Sequence, residues 1–202
     1  MKYLDFRRRM APFAAFSIRD ARMLDPAFDR RRLHEWSARG YLRLLTKGHY
    51  VFADIDIDDR SLDLIANRLY APSYVSLETV LSRAGLIPET VRQVTSVTTR
   101  KTRSAPAGLA TFSYRTVAPR LFFGYVIEPN GARVAVVEKA LLDYLYLHPD
   151  LQTREDYESL RMDRRQLADQ LDRRRFAGHL ARFGSKALSE RANRLLEWAR
   201  YA

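Results

Sequence analysis

The chain has 202 residues, 47% of them apolar, which is enough for a packed core and too much for a disordered protein. Cysteine is absent, which excludes disulfide scaffolds, cysteine-ligated zinc and thiol nucleophiles and fits a reducing compartment. The formal net charge is +11 and uneven: residues 1–50 carry 12 basic and 5 acidic residues, residues 51–150 carry 11 of each, and residues 151–202 carry 12 and 8. A concentrated basic block beside a neutral one points to a polyanionic partner. The longest uncharged run, residues 104–114, is 11 residues, against the roughly 20 apolar residues of a spanning helix. The first ten residues lack the apolar stretch of a secretory signal. The expectation is a cytoplasmic protein with no membrane partner.

In chain order, Phe6, Met10 and Phe13 are spaced for one face of a helix over residues 3–15. Ser17 followed by Asp20 fits a capping box for a short helix from Ile18 to about Leu24. Asp25-Pro26 offers an N-cap and a first-turn proline for a third helix, with Leu33 and Trp36 inward, that stops at Gly40. Residues 41–52, YLRLLTKGHYVF, read as a hairpin turning at Thr46-Lys47-Gly48 with Gly at positive φ. Three helices and a basic hairpin make the winged helix-turn-helix arrangement. The four aspartates of ADIDIDD, residues 53–59, mark a boundary, so the expected domains are 1–56 and 57–202.

Beyond the boundary, residues 61–70 predict a helix ended by Pro72, and Ser76 is placed to cap a second, inward through Leu77, Val80, Leu81 and Ala84 and stopped by Gly85. Residues 93–99, 110–117, 121–127 and 132–137 are rich in Val, Thr, Phe and Tyr and predict a small, mostly antiparallel sheet, on which a helix over 138–147 packs. Thr153 with Asp156 forms another capping box. Two Arg-rich helices follow, roughly 164–183 and 186–200. The expected class is α+β.

The basic block has a mechanical reason to bind duplex DNA. A major groove about 12 Å wide admits one helix. The third helix presents Arg30, Arg31 and His34 for base edges, and arginine donates bidentately to guanine. Arg43, Lys47 and His49 on the hairpin suit the backbone or the minor groove, and Arg19 and Arg22 on the second helix suit phosphates. The competing reading of Arg30-Arg31-Arg32 is a solvated helix face.

The basic block, then YVSLETVLSRAGLIPE (74–89), a β-rich stretch and VVEKALLDYLYL (136–147) together resemble the AbiEi family of antitoxins, from AbiE-type, type IV toxin–antitoxin systems. The resemblance covers nearly the whole chain. It implies an N-terminal winged helix that binds inverted repeats in its own promoter. It also implies a C-terminal domain that counteracts a nucleotidyltransferase-like toxin, whether or not the two bind. The matching positions are Tyr74, Ser76, Leu77 and Glu78, and Glu138 through Asp143. Physically most of these are structural: Ser76 caps, Leu141, Leu142 and Leu145 bury, and Lys139 and Asp143, four apart, pair on one helix face. Lys139 is also a candidate for a direct role. Arg100, Lys101, Arg103 and Arg115 are candidates for the antitoxin surface, or equally an exposed sheet rim.

No enzymatic constellation appears. His34, His49, His148 and His179 have no paired ligand spacing, and no nucleotide-binding or nucleophile-elbow motif occurs. The expectation is a non-enzyme with neither cofactor nor metal. Two alternatives stand beside it. One is a toxin-binding interaction module without DNA binding. The other is a winged-helix protein with a restriction-like nuclease domain, although adjacent Glu138 and Lys139 diverge on a helix by about 100°.

Overall fold

Aromatic side chains spaced along the first fifty residues gather the N-terminal part around Phe6. The structure is a computed structural model that describes residues 1–88, 93–108 and 110–200. Glu89, which closes the first resembling block, lies outside the described residues. Helix α1 (Tyr3–Met10) buries Phe6 and Met10. It stops short of residue 15 because Pro12 has no N–H and its ring opposes the carbonyl four residues back. A 3-10 turn (Ala11–Phe13) and strand β1 (Phe16–Ser17) take its place. Helix α2 (Ile18–Leu24) starts on the expected capping box of Ser17 and Asp20.

Helix α3 (Arg31–Ala38) begins later than Pro26 suggests. The Asp25 carboxylate accepts from the Ala27 N–H at 3.2 Å, and its carbonyl from the Phe28 N–H at 2.8 Å, closing a turn over the proline. The capping role passes to Asp29, whose Oδ1 accepts from the Arg31 N–H at 2.9 Å. Gly40, at φ +74, lets the Tyr41 and Gly40 N–H groups reach back to the Trp36 and Ser37 carbonyls and end the helix. Strands β2 (Leu42–Thr46) and β3 (His49–Phe52) form the expected hairpin, with Gly48 at φ +83, and β1 adds to it in the order β1-β3-β2. Phe6 lies 4.8 Å from Trp36, 5.2 Å from Phe28 and 5.3 Å from Phe16, measured between ring centroids.

A second apolar cluster fills the rest of the chain, and Ala15, Leu45 and Val51 of the first part join it. Helix α4 (Asp59–Leu69) is capped by Asp58, which accepts from the Ser61 N–H at 2.8 Å. Strand β4 (Ser73–Val75) follows, and Leu77, at φ +58, turns the chain into α5 (Glu78–Arg83). Ser76 is therefore not a cap; it is buried, and Leu77 holds that position without a side-chain bond.

Strands β5 (Gln93–Thr98), β6 (Arg103–Ala107), β7 (Ala110–Thr116), β8 (Tyr125–Ile127) and β9 (Arg133–Ala135) complete a six-stranded sheet in the order β6-β7-β5-β4-β9-β8. The sheet is mixed: β5 runs parallel to β7 and β4 to β9, while the other three pairings are antiparallel. β4 is too short, at three residues, to show alternation. β6 carries Pro106, which an edge strand tolerates because its outer side needs no donor.

Helix α6 (Val137–Leu147) packs in the core with Leu141, Leu142 and Leu145 fully buried. Helix α7 (Arg154–Ser159) carries the expected Thr153 and Asp156 capping box. The Arg-rich segment is two helices, α8 (Arg164–Gln170) and α9 (Arg173–Phe183), because Asp172 breaks it and caps α9 by accepting from the Arg175 N–H. Helix α10 (Lys186–Arg200) closes the α+β fold. Among the described residues no helix is long and apolar enough to cross a membrane.

Phe6 is fully buried among four rings, so truncation removes the centre of the first cluster. Phe6→Ala is expected to lower stability by about 3–5 kcal/mol, read as a lower urea midpoint.

Candidate nucleic-acid interface and a buried lysine centre

The exposed side of α3 carries Arg31, His34, Glu35 and Ala38, and Arg30 precedes it, also exposed. These positions are one helix face by their spacing of three and four. The basic run divides. Arg32 turns inward and donates to the Met1 carbonyl, while Arg30 and Arg31 point outward. Arg43 on β2 and Lys47 at the hairpin tip are exposed, as are Arg19 and Arg22 on α2. Among the described residues, none of the side chains of Arg19, Arg22, Arg30, Arg31, His34, Arg43 and Lys47 has a hydrogen bond or ion pair within the protein. The five arginines and the lysine among them are available to an outside anion. Glu35 is the one acid on that face of α3.

His49 departs from this surface. It is half-buried beside α2 and α4, its Nδ1 has no partner, and burial pulls its pKa below 6.5. It lines the cleft between α2 and α4 instead of standing with the exposed cations. Above pH 6.5 both folded and unfolded chains hold His49 neutral. As pH falls through 6.5 the unfolded chain takes up a proton first, so stability drops. His49→Gln is expected to lessen the loss of urea midpoint between about pH 7.5 and about pH 5.5.

In the second part, the two resembling blocks meet. Tyr74 from β4 donates to Asp143 Oδ2 at 2.8 Å, and Ser76 Oγ donates to the same oxygen at 2.9 Å. Lys139 Nζ donates to Asp143 Oδ1 and, at 2.7 Å, to the Tyr74 hydroxyl. The ammonium also lies 4.8 Å from the centre of the Phe123 ring and 4.9 Å from that of Phe183. Gly124, at φ +74, is required beside it, since a Cβ there would come within 2.8 Å of Lys139 Cγ. Burial pushes the Asp143 carboxyl up and the Lys139 ammonium down, and each partner's charge opposes that shift in the other. Burial, reinforced by Asp143, raises the Tyr74 phenol, so it stays protonated and donates.

Lys139 is therefore not part of any surface: it is 0% exposed and holds the core. Four-residue spacing revealed its pairing with Asp143; nothing in the sequence revealed that Tyr74 and Ser76 would join, 69 and 67 residues away. Of the other proposed antitoxin residues, Arg100, Lys101 and Arg103 are exposed around the β5–β6 connection and Arg115 is half-buried on β7. Arg100 and Arg103 stack on Tyr70, at 4.4 and 5.5 Å.

Three residues read separately from the sequence, Arg19, His49 and Arg100, line one cleft between α2, the hairpin and α4. Arg68, Asn67 and Arg133 share it and were missed, since each reads as an ordinary polar residue in its own element. Among the described residues no group of three or more His, Asp or Glu is placed to hold a metal ion. No protein-family model matches the chain, and no curated protein matches it.

Removing one member of the buried pair leaves the other charge uncompensated. Lys139→Met is expected to cost about 3–5 kcal/mol, and Lys139→Met with Asp143→Asn together less than the sum of the single changes, measured by urea denaturation.

Proposed function

We infer that residues 1–56 are a winged helix-turn-helix that binds duplex DNA, and that the chain is an AbiEi-type antitoxin that represses its own promoter. The observation that carries this is a set of unpaired polar side chains: Arg30 before α3, Arg31 and His34 along it, and Arg43 and Lys47 on the hairpin beside it. In this reading α3 enters the major groove, Arg30, Arg31 and His34 meet base edges, and Arg19, Arg22, Arg43 and Lys47 hold phosphates. Occupying an inverted repeat that overlaps the promoter keeps polymerase from starting. The two-fold site needs two copies of the chain on DNA.

Residues 57–202 are then the antitoxin domain, opposing a nucleotidyltransferase-like toxin. Support for it is the meeting of Tyr74, Ser76, Lys139 and Asp143, the positions at which the chain resembles that family, in one buried network. The exposed cations Arg100, Lys101 and Arg103 remain its candidate surface.

Fluorescence anisotropy with the chain's own promoter separates the roles. Arg31→Ala is expected to cost about 1–3 kcal/mol on the operator and relax sequence preference. Lys47→Ala is expected to weaken binding to every duplex alike and flatten the salt dependence by about one counterion. Binding indistinguishable from the parent in both variants removes this interface.

A further inference from the structure

A cleft lies between α2, the hairpin and α4. Its volume is ≈ 780 Å³, within the roughly 300–1,000 Å³ of small-molecule sites, and it lies where two apolar clusters meet. Arg19, Arg68, Arg100 and Arg133 line it, against a single carboxylate, Asp20. That carboxylate is already engaged: its Oδ2 accepts from the Ser17 N–H and hydroxyl, each at 2.7 Å.

The lining also holds donors without acceptors. Asn67 is 6% exposed; its Oδ1 accepts from the Arg133 N–H at 2.5 Å, and its Nδ2 has no partner. Arg68 lies over Phe13 at 4.4 Å and reaches Asp20 only at 3.9 Å, and its Nε has no partner. Arg133 makes no side-chain hydrogen bond or ion pair among the described residues. Clustered guanidiniums call for an oxyanion that takes two bonds from a fork, and Arg133 in the lining has no partner of its own among the described residues. Ile18, Leu64 and Leu69 supply an apolar wall beside them.

The geometry points to a site for a small organic phosphate of nucleotide size, its phosphate held by Arg68 and Arg133 and its organic part against the apolar wall. Backbone phosphates of a duplex share the chemistry; a cleft of ≈ 780 Å³ with Ile18, Leu64 and Leu69 on one wall suits the smaller ligand. Because Arg19 belongs to α2, Arg68 to α4 and Arg133 to β9, the ligand joins the DNA-reading part to the rest. The site itself stands independently of the DNA reading.

Isothermal titration of the full chain with ADP, GDP and UDP tests it, with adenosine and inorganic phosphate as partial probes. The expected result is saturable one-to-one binding of at least one nucleotide, competition by inorganic phosphate, and no heat from adenosine. Arg133→Ala and Arg68→Gln are each expected to weaken it about tenfold or more, while Arg154→Ala, exposed and paired with Glu158 at 2.8 Å, binds as the parent does. Arg133→Ala decides alone if Arg68→Gln does not fold. No saturation with any of the three nucleotides overturns the proposal, as does parental affinity in Arg133→Ala. Displacement of the nucleotide one-for-one by promoter duplex also overturns it and gives the cleft to DNA. Failure here leaves promoter binding by anisotropy unchanged, so the two readings fail separately.

Discussion

An ammonium and a carboxylate with no access to water hold the second part of the chain together. Lys139 and Asp143 sit on α6, at 0% exposure, and lose hydration that neither recovers from the other alone. The structure supplies the remainder. Tyr74 and Ser76 reach Asp143 from the strand end across the core, and the faces of Phe123 and Phe183 flank Lys139. Such a centre is exacting about geometry. It sets the distance between α6 and β4 and leaves Gly124 no room for a side chain. The neighbouring Glu138 extends the same logic outward, accepting from the Asp172 N–H at 3.0 Å and tying α9 to α6.

The N-terminal part is stabilised differently. Its core is a cluster of aromatic rings with no buried ion pair, and its polar groups serve caps and turns. Charge that would be costly inside is carried on the outside, where it is free to meet an anion. This division matches the sequence, in which the basic excess is concentrated in the first fifty residues.

Local signals were legible. The Ser17 and Thr153 capping boxes, the Gly40 helix stop, the Gly48 hairpin and the α6 helix all follow from spacing within a few residues. What the sequence did not reveal depends on partners far along the chain. Ser76 has the chemistry of a cap, yet a carboxylate 67 residues away claims its hydroxyl. Asp25-Pro26 has the pattern of a helix start, yet its own turn bonds take precedence and Asp29 inherits the role. The parallel pairing of β5 with β7 is invisible locally because β6 lies between them in sequence and outside them in space. The cleft was legible only as scattered arginines, since its lining comes from elements far apart in the chain.

Pro106 has a consequence for how copies of this chain behave at high concentration. β6 forms one rim of the sheet, where an unpaired backbone invites a strand from a neighbouring molecule. A ring nitrogen with no hydrogen interrupts that invitation, and Arg103 and Ser104, both exposed on the same strand, keep the rim hydrated. Pro106 thus discourages fibrous self-association along this rim.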